Sequence, residues 1–188
     1  VLRVADKVLK PDEKRIEITH KKAQEPDQVA QPLVEQRLSV AAPLFQLGFK
    51  GVPDAEGSLT NQILDEMLCE LIAGEATPLY RRMYDSGIIN STFGTECMAG
   101  RDYLCNIFSG ESKEPGKVAA QIREEILRMS REGIDKELFE MIRRSTYGRY
   151  IEMYSRPQSV ASLMTEAYLN GVEDIYSLLE VVAGATPE

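Results

Sequence analysis

The sequence predicts an α+β fold, in which one antiparallel sheet is covered by helices on one side. Short β-like runs occur in pairs that brief turns separate, whereas stretches with the apolar period of amphipathic helices occupy separate blocks of the chain. The composition is typical of globular proteins, with 43% hydrophobic and 28% charged residues. A length of 188 residues fits one domain that buries enough surface to fold without disulfides.

The N-terminal region is predicted to be an arm beside the packed domain. Residues 1–9 fit the end of a short helix, and residues 10–32 are polar, with three prolines and no apolar period. We therefore expect residues 1–32 to form an interdomain helix end and linker, and residues 33–188 to form a single α+β domain. The Val at position 1 and the abrupt end at residues 185–188 indicate a domain excised from a longer chain.

Four β-like runs are expected to build the sheet. The first two are Leu38–Ala42 and Leu44–Lys50, which the ring of Pro43 separates. The other two are Ile88–Cys97 and Arg101–Ser109, with a turn of hairpin length between them.

One long helix is predicted between the two strand pairs, ending at Gly74. Its apolar residues recur every three or four positions, which is the spacing of one buried face. The residues assigned to that face are Leu59, Ile63, Leu64, Met67, Leu68, Leu71 and Ile72.

The remaining helices carry recognisable start and stop signals. Thr77 and Pro78 suit the first positions of a short helix that Gly87 ends. A helix over 115–132 is stopped by a glycine, and another begins at Asp135. Two more are expected, one after Pro157 and one near residue 174.

Charge and residue counts exclude several classes of function. The formal net charge of −8 argues against binding to nucleic acid or to anionic lipid, because both require a basic surface. No apolar run of about 18 residues predicts a membrane span. The chain holds one histidine, His20, and three cysteines outside any zinc-binding spacing, so we expect no metal site and a reducing, cytoplasmic location.

The segment after the long helix carries a resemblance to a known family. It reads Thr-Pro-Leu-Tyr-Arg-Arg-Met-Tyr at 77–84 and Gly-Ile-Ile-Asn at 87–90, and a hairpin and two helices follow. The second of those helices opens with Gly-Ile-Asp-x-x-Leu-Phe at 133–139. This order resembles the second homologous domain of the pitrilysin/insulinase family of zinc peptidases, the inverzincins, which include the mitochondrial processing peptidases. Residues 43–50 are similar to a bacterial branch with paired, processing-peptidase-like subunits.

The resemblance covers residues 25–188 and implies a two-domain unit whose halves share one metallohydrolase-like α+β fold. In the first half, an H-x-x-E-H motif and a distal Glu supply the zinc ligands and the base that activates water. That motif needs two histidines, and this chain has one. The resemblance therefore implies the non-catalytic second half. It places the zinc in the homologous first domain, either in the same parent chain or in a partner subunit.

The resemblance also implies a role for one Arg and one Tyr of the second half, which contact the substrate in active relatives. In this sequence Tyr84 stands at the position of that Arg, and Asn90 stands at the position of that Tyr. Arg81 and Arg82 are candidates for a displaced cation. These four residues are the substrate-binding candidates, and we expect neither catalytic residues nor metal ligands in this chain.

Three hypotheses about function follow. In the first, the chain is the inactive domain of a zinc-dependent peptidase, which walls the chamber opposite the zinc and helps bind extended peptides, basic ones included. In the second, it is a catalytically silent assembly subunit that pairs with an active homologous peptidase. In the third, it is an unrelated small-molecule enzyme that uses Tyr84, Arg82 and a carboxylate.

Overall fold

The computed structural model describes residues 2–9, 26, 28–53, 58–100 and 102–187 of the chain. The described elements confirm the α+β class. In chain order they are α1 (Leu2–Val8), β1 (Leu44–Lys50), α2 (Ser58–Ala73), α3 (Pro78–Asp85), β2 (Gly94–Ala99), β3 (Leu104–Glu111), α4 (Pro115–Glu132), α5 (Lys136–Tyr154), α6 (Pro157–Leu169) and α7 (Ser177–Gly184).

The three strands form one antiparallel sheet in the order β1-β3-β2. Phe108 at the centre of β3 lies opposite Leu47 on one side and Thr95 on the other, so these three side chains share one face of the sheet. Helices α2 and α4 pack against that face. On the other face, Leu44 is 64% exposed and Met98 is 47% exposed. The helices therefore cover one side of the sheet, as the sequence predicts.

The buried residues form two cores, and α2 contributes to both. The sheet-side core joins the inner face of the sheet to α2, α3 and α4, and it comprises Cys69, Ile72, Ala73, Leu79, Met83, Ile89, Phe93, Phe108, Val118 and Ile122. The helix-side core joins the opposite face of α2 to α5, α6 and α7, and it comprises Leu59, Ile63, Met67, Leu71, Phe139, Ile142, Tyr150, Leu163, Ala167, Ile175, Leu178 and Val182.

The predicted buried face of α2 is too wide. Ile63 and Met67 are buried, but Leu64 is 39% exposed and Leu68 is 37% exposed. The two leucines lie one helical turn apart, in the gap between the side that faces the sheet and the side that faces the helices.

The strand predicted at Leu38–Ala42 is wrong. Residues 33–42 have no regular secondary structure, and Leu38 and Val40 are 70% and 49% exposed. Apolar residues alone do not make a strand, because a strand needs a neighbour to pair with its backbone groups. Within the described residues, the sheet gives this segment no such neighbour.

The predicted third strand begins too early, because residues 88–93 form turns and β2 starts only at Gly94. Gly87 has a φ of 71°, which turns the chain sharply after α3. The fourth strand begins at Leu104 rather than at Arg101, which lies outside the described residues.

The helices follow their predicted signals. The Thr77 side chain accepts a hydrogen bond from the backbone N–H of Tyr80 at 3.1 Å and so caps α3. Asp135 caps α5 in the same way, through the N–H of Leu138 at 2.8 Å. Gly133, with a φ of 84°, follows the end of α4.

The N-terminal arm is described only in part. Helix α1 confirms the short helix expected over residues 1–9, and it has no buried residue. Residues 28–42 are almost entirely exposed. Most of the predicted linker lies outside the described residues, as does His20.

Candidate functional site

The segment from α3 to β2 presents a row of aromatic rings. The rings of Tyr80 and Tyr84 stack with their centroids 5.8 Å apart and an angle of 13° between their planes. Tyr80 also packs against Phe93 at 6.0 Å, and Phe93 stacks on Phe45 of β1 at 6.3 Å. This row runs from the solvent-exposed side of α3 into the sheet-side core, so that it fixes the helix against the sheet.

The two arginine candidates and Tyr84 lie on the exposed side of α3. Arg81 Nε lies 3.7 Å from Asp85 Oδ2, and both side chains are well exposed. Such an exposed pair contributes little to stability, so Arg81 is free to reorient toward another anion. Arg82 is exposed, and Tyr84 is 46% exposed. The structure therefore brings Arg81, Arg82 and Tyr84 together on one short helix, beside the aromatic row.

Asn90 serves the local fold. Its Nδ2 donates to Glu111 Oε2 at 2.8 Å, and its Oδ1 accepts from the backbone N–H of Thr92 at 2.9 Å. The Thr92 hydroxyl donates to the same Oδ1 at 2.6 Å and accepts from the backbone N–H of Glu111 at 3.0 Å. These bonds tie the turn after α3 to the end of β3. The role of Asn90 in substrate contact stays a prediction.

The outer edge of β2 is open. The backbone N–H of Gly100 donates to the carbonyl of Tyr103 at 2.8 Å, which makes this pair a hydrogen-bonded one. Because such pairs alternate along an antiparallel ladder, Thr95, Cys97 and Ala99 direct their backbone groups away from β3. Within the described residues, no other strand pairs with them.

A groove of about 540 Å³ borders this edge. Tyr80 and Phe93 lie in its wall, and so does Arg149 of α5. The hydroxyl of Thr95 donates to Glu70 Oε1 at 3.0 Å across the space between β2 and α2. The remaining lining residues are Ala73, Gly74, Glu75, Ala76, Gly94, Met141, Ile142, Ser145 and Thr146. An open strand edge beside a groove with aromatic and charged walls is able to bind an extended peptide.

None of the four substrate-binding candidates lines this groove, and Tyr80 is the residue of α3 that does. Glu70 comes from α2 and Arg149 from α5, and these helices are far apart in the sequence. Arg149 forms an ion pair, with Nη2 lying 3.5 Å from Glu66 Oε2. No local pattern shows that its side chain also lines a groove, since the groove exists only once the helices pack.

Two of the three cysteines, Cys69 and Cys97, are buried. Burial raises the pKa of the Cys69 thiol to about 12, and burial raises the pKa of the Cys97 thiol to about 12 as well. Thiolates at either position are therefore negligible near neutral pH. Across the described part of the chain, no three His, Cys, Asp or Glu side chains converge to hold a metal ion. Nor is any helix there both long and apolar enough to cross a bilayer.

Residues 1–146 match the sequence model of the family described as the peptidase M16 inactive domain. A Bacillus subtilis (strain 168) protein named "Uncharacterized zinc protease YmfH" is 25% identical over an alignment of 178 residues, which covers 92% of this chain and 41% of that protein. The chain thus spans well under half the length of this curated relative.

Solved structures share the fold. A structure described as an M16-like peptidase from Alicyclobacillus acidocaldarius matches with a TM-score of 0.73 and 20% identity, over 78% of this chain and 36% of that one. The inactive peptidase domain of a protein described as a zinc protease, from Bordetella parapertussis, matches with a TM-score of 0.62 and 16% identity, over 81% and 82% of the two chains. At these identities the likeness shows the fold alone.

Proposed function

The chain belongs to the family of peptidase M16 inactive domains, and we propose from this membership that it is the non-catalytic part of a zinc-dependent peptidase. In this proposal residues 1–32 are the linker arm, and residues 33–188 form the wall of a chamber opposite the zinc. The observation that carries the proposal is the family match over residues 1–146 in a chain with a single histidine. The zinc and the water-activating Glu then belong to a homologous domain, in the same parent chain or in a partner subunit.

The residues of this chain do not fit a zinc site of their own. The H-x-x-E-H motif requires two histidines, and the described residues offer no group of three metal ligands. No chemical step of peptide hydrolysis is therefore assigned to this chain. Its contribution is binding and enclosure, which orient a peptide and exclude bulk water around the zinc domain.

We place the peptide contact at the open edge of β2. An extended peptide added there would form main-chain hydrogen bonds with Thr95, Cys97 and Ala99, and alternate side chains would lie against the groove. Tyr84 stacks on Tyr80, which lies in the wall of the groove, and Arg81 and Arg82 are on the same helix. The net charge of −8 favours basic peptides, and the three unpaired thiols favour a cytoplasmic location.

An assembly subunit without a role in substrate binding is the second candidate. It is favoured by Tyr84 and Asn90, which replace the Arg and Tyr that the family resemblance places there. Asn90 in particular has its amide engaged by Thr92 and Glu111.

Peptide cleavage tests the main proposal. We expect the full-length parent, or the chain together with its zinc-carrying partner, to cleave extended basic peptides. A chelator should abolish the cleavage, and the chain alone should show none. Cleavage by the chain alone in the presence of chelator would disprove the proposal. Absence of cleavage from the complete assembly would favour the assembly subunit.

Edge variants test where the peptide binds. Thr95→Pro removes one outward N–H from β2, and we expect it to raise KM by roughly threefold to tenfold, as the loss of one hydrogen bond does. Gln46→Pro removes the equivalent outward N–H from the free edge of β1 and is the matched control. Thr95→Val controls for the lost hydroxyl. Equal effects of the two proline variants would contradict binding at β2.

A further inference from the structure

A second cavity, of about 240 Å³, lies between α2, α5 and α6 on the helix-side core. Its walls have two kinds of residue, apolar side chains and polar side chains that carry charge or hydrogen-bonding groups. The apolar group is Leu59, Ile63, Met153 and Leu163, and the polar group is Gln62, Glu66, Arg149, Tyr150 and Glu166. A space of this size with both kinds of wall suits a short apolar stem that ends in a polar group.

Glu66 is the less exposed of the two carboxylates that line this cavity. Burial raises the pKa of the Glu66 carboxyl above its usual range, and the nearby carboxylates of Glu166 and Glu70 raise it further. A hydrogen bond from Gln62 Nε2 at 3.2 Å and the charge of Arg149 act in the opposite direction. The Arg149 guanidinium lies 3.5 Å away and is 51% exposed, so the negative charge of Glu66 is compensated weakly.

Tyr150 supplies a second, independent observation. Its side chain lines the cavity and the residue is only 7% exposed, yet its hydroxyl has no hydrogen-bond partner among the described residues. Glu66 and Glu166 line the same cavity, and their negative charges help to raise the pKa of the phenol. Burial raises the pKa of the Tyr150 phenol, so the hydroxyl stays neutral and is able both to donate and to accept. A ligand that enters the cavity is therefore able to form a hydrogen bond with this hydroxyl.

We propose that this cavity binds an alkylammonium group carried on an apolar stem, of the kind that a lysine side chain presents. The ammonium has three N–H donors, and the cavity offers three acceptors, namely the carboxylates of Glu66 and Glu166 and the hydroxyl of Tyr150. The stem packs on the apolar wall formed by Leu59, Ile63 and Leu163. Arg149 turns toward solvent at the mouth when the ligand enters, since half of its side chain is exposed already.

Small amines test the proposal directly on the full chain. The probes are Nα-acetyl-lysine methylamide, n-butylamine, and Nα-acetyl-norleucine methylamide, which has the same backbone and an apolar side chain without the ammonium. In an NMR titration we expect the lysine amide and butylamine to bind saturably, and the norleucine amide to bind about tenfold more weakly or less. Tighter binding of the lysine amide would identify a peptide side chain as the source, and tighter binding of butylamine would identify a free amine. Equal affinity for the lysine and norleucine amides would overturn the proposal.

Variants locate the binding. We expect Glu66→Gln to weaken the lysine amide about tenfold or more and Tyr150→Phe to weaken it about threefold. Glu124→Gln makes the same change in net charge at an exposed position of α4, away from the cavity, and should leave the affinity unchanged. If Glu66→Gln and Glu124→Gln weakened binding of the lysine amide equally, the affinity would come from long-range attraction to the net charge of the protein. That result would overturn the proposed site. Thermal unfolding of each variant shows whether it is folded, and Glu166→Gln on the exposed rim replaces any variant that is not.

Discussion

The sheet side and the helix side of this domain bury similar apolar cores on opposite faces of α2, but the spaces beside these cores present different polar groups. On the sheet side, the groove borders a strand edge, where backbone groups of β2 point away from β3. This is the edge at which we propose that an extended peptide binds. On the helix side, the cavity is smaller and its polar groups are side chains, so that recognition there depends on charge. Helix α2 thus separates a space bordered by backbone groups from a space whose polar groups are all side chains. Arg149 lines both spaces and is the physical link between them.

The largest expected losses of stability come from core substitutions, which test whether the two sides fold as one unit. Phe108 and Ile63 are each 1% exposed, one in each core. We expect Phe108→Ala to lower the free energy of unfolding by about 3–5 kcal/mol and Ile63→Ala by about 2–5 kcal/mol. Because α2 belongs to both cores, each variant should keep a single transition in urea followed by circular dichroism and by tyrosine fluorescence.

The control for this pair is Leu68→Ala. Leu68 is on the same helix but 37% exposed, so we expect a loss of about 1 kcal/mol or less. Two separate transitions in Phe108→Ala would show that the two sides are independent units and that α2 does not couple them.

We expect intermediate changes in stability when two glycines of the sheet are replaced by alanine. A Cβ at Gly110 of β3 would lie 2.8 Å from the Cα of Phe93, whereas a Cβ at Gly94 of β2 would meet no atom within 4 Å. We expect Gly110→Ala to destabilise the domain by about 1–3 kcal/mol, because the turn that carries Phe93 must move. Gly94→Ala should be neutral or stabilise the domain by up to about 1 kcal/mol, since alanine loses less backbone entropy on folding.

Chemical denaturation of the two glycine variants measures this difference. If Gly110→Ala were as stable as Gly94→Ala, the turn after α3 would not pack against β3 as described.

The smallest expected change in stability comes from Glu66 on the helix side, and it depends on pH. The raised pKa of Glu66 means that the folded state holds its proton more tightly than the unfolded state does. Stability from this group is therefore lost as the pH rises from the ordinary Glu value, 4.5, through the raised folded pKa. Below that pH window we expect Glu66→Gln to be as stable as the native protein. Above the window the variant should be more stable, by no more than about 1 kcal/mol, because the Glu66 side chain is partly exposed.

Thermal unfolding across that pH range measures the difference. Parallel pH profiles for the native protein and Glu66→Gln would show that burial does not penalise this carboxylate.

Most of the helical structure could be predicted from the sequence, but the sheet could be predicted only in part. Helices α3, α4 and α5 have local signals, such as the Thr77 cap and the glycine at 133, and these act within a few residues. The run at Leu38–Ala42 has the composition of a strand without a partner strand, and Leu68 has the spacing of a core residue without a neighbour to cover it. Both errors arise because local pattern does not show what packs against a segment.

The candidate site, like the fold, could be predicted from the sequence only in part. The sequence pointed to Arg81, Arg82 and Tyr84, and the structure places them together on α3. The groove and the cavity were missed, because Glu66, Tyr150 and Arg149 have no shared motif and meet only through the packing of α2 on α5.

By itself the sequence determined the α+β class, the family and the absence of an H-x-x-E-H motif, because each depends on residue order and on a count that packing cannot change. Only the tertiary structure decided which strand edge stays open, which leucines of α2 are covered, and where Tyr150 and Glu66 line one cavity. The physical reason is that exposure, pairing and desolvation depend on neighbours that are distant in the chain. Those neighbours are fixed only when the whole domain packs.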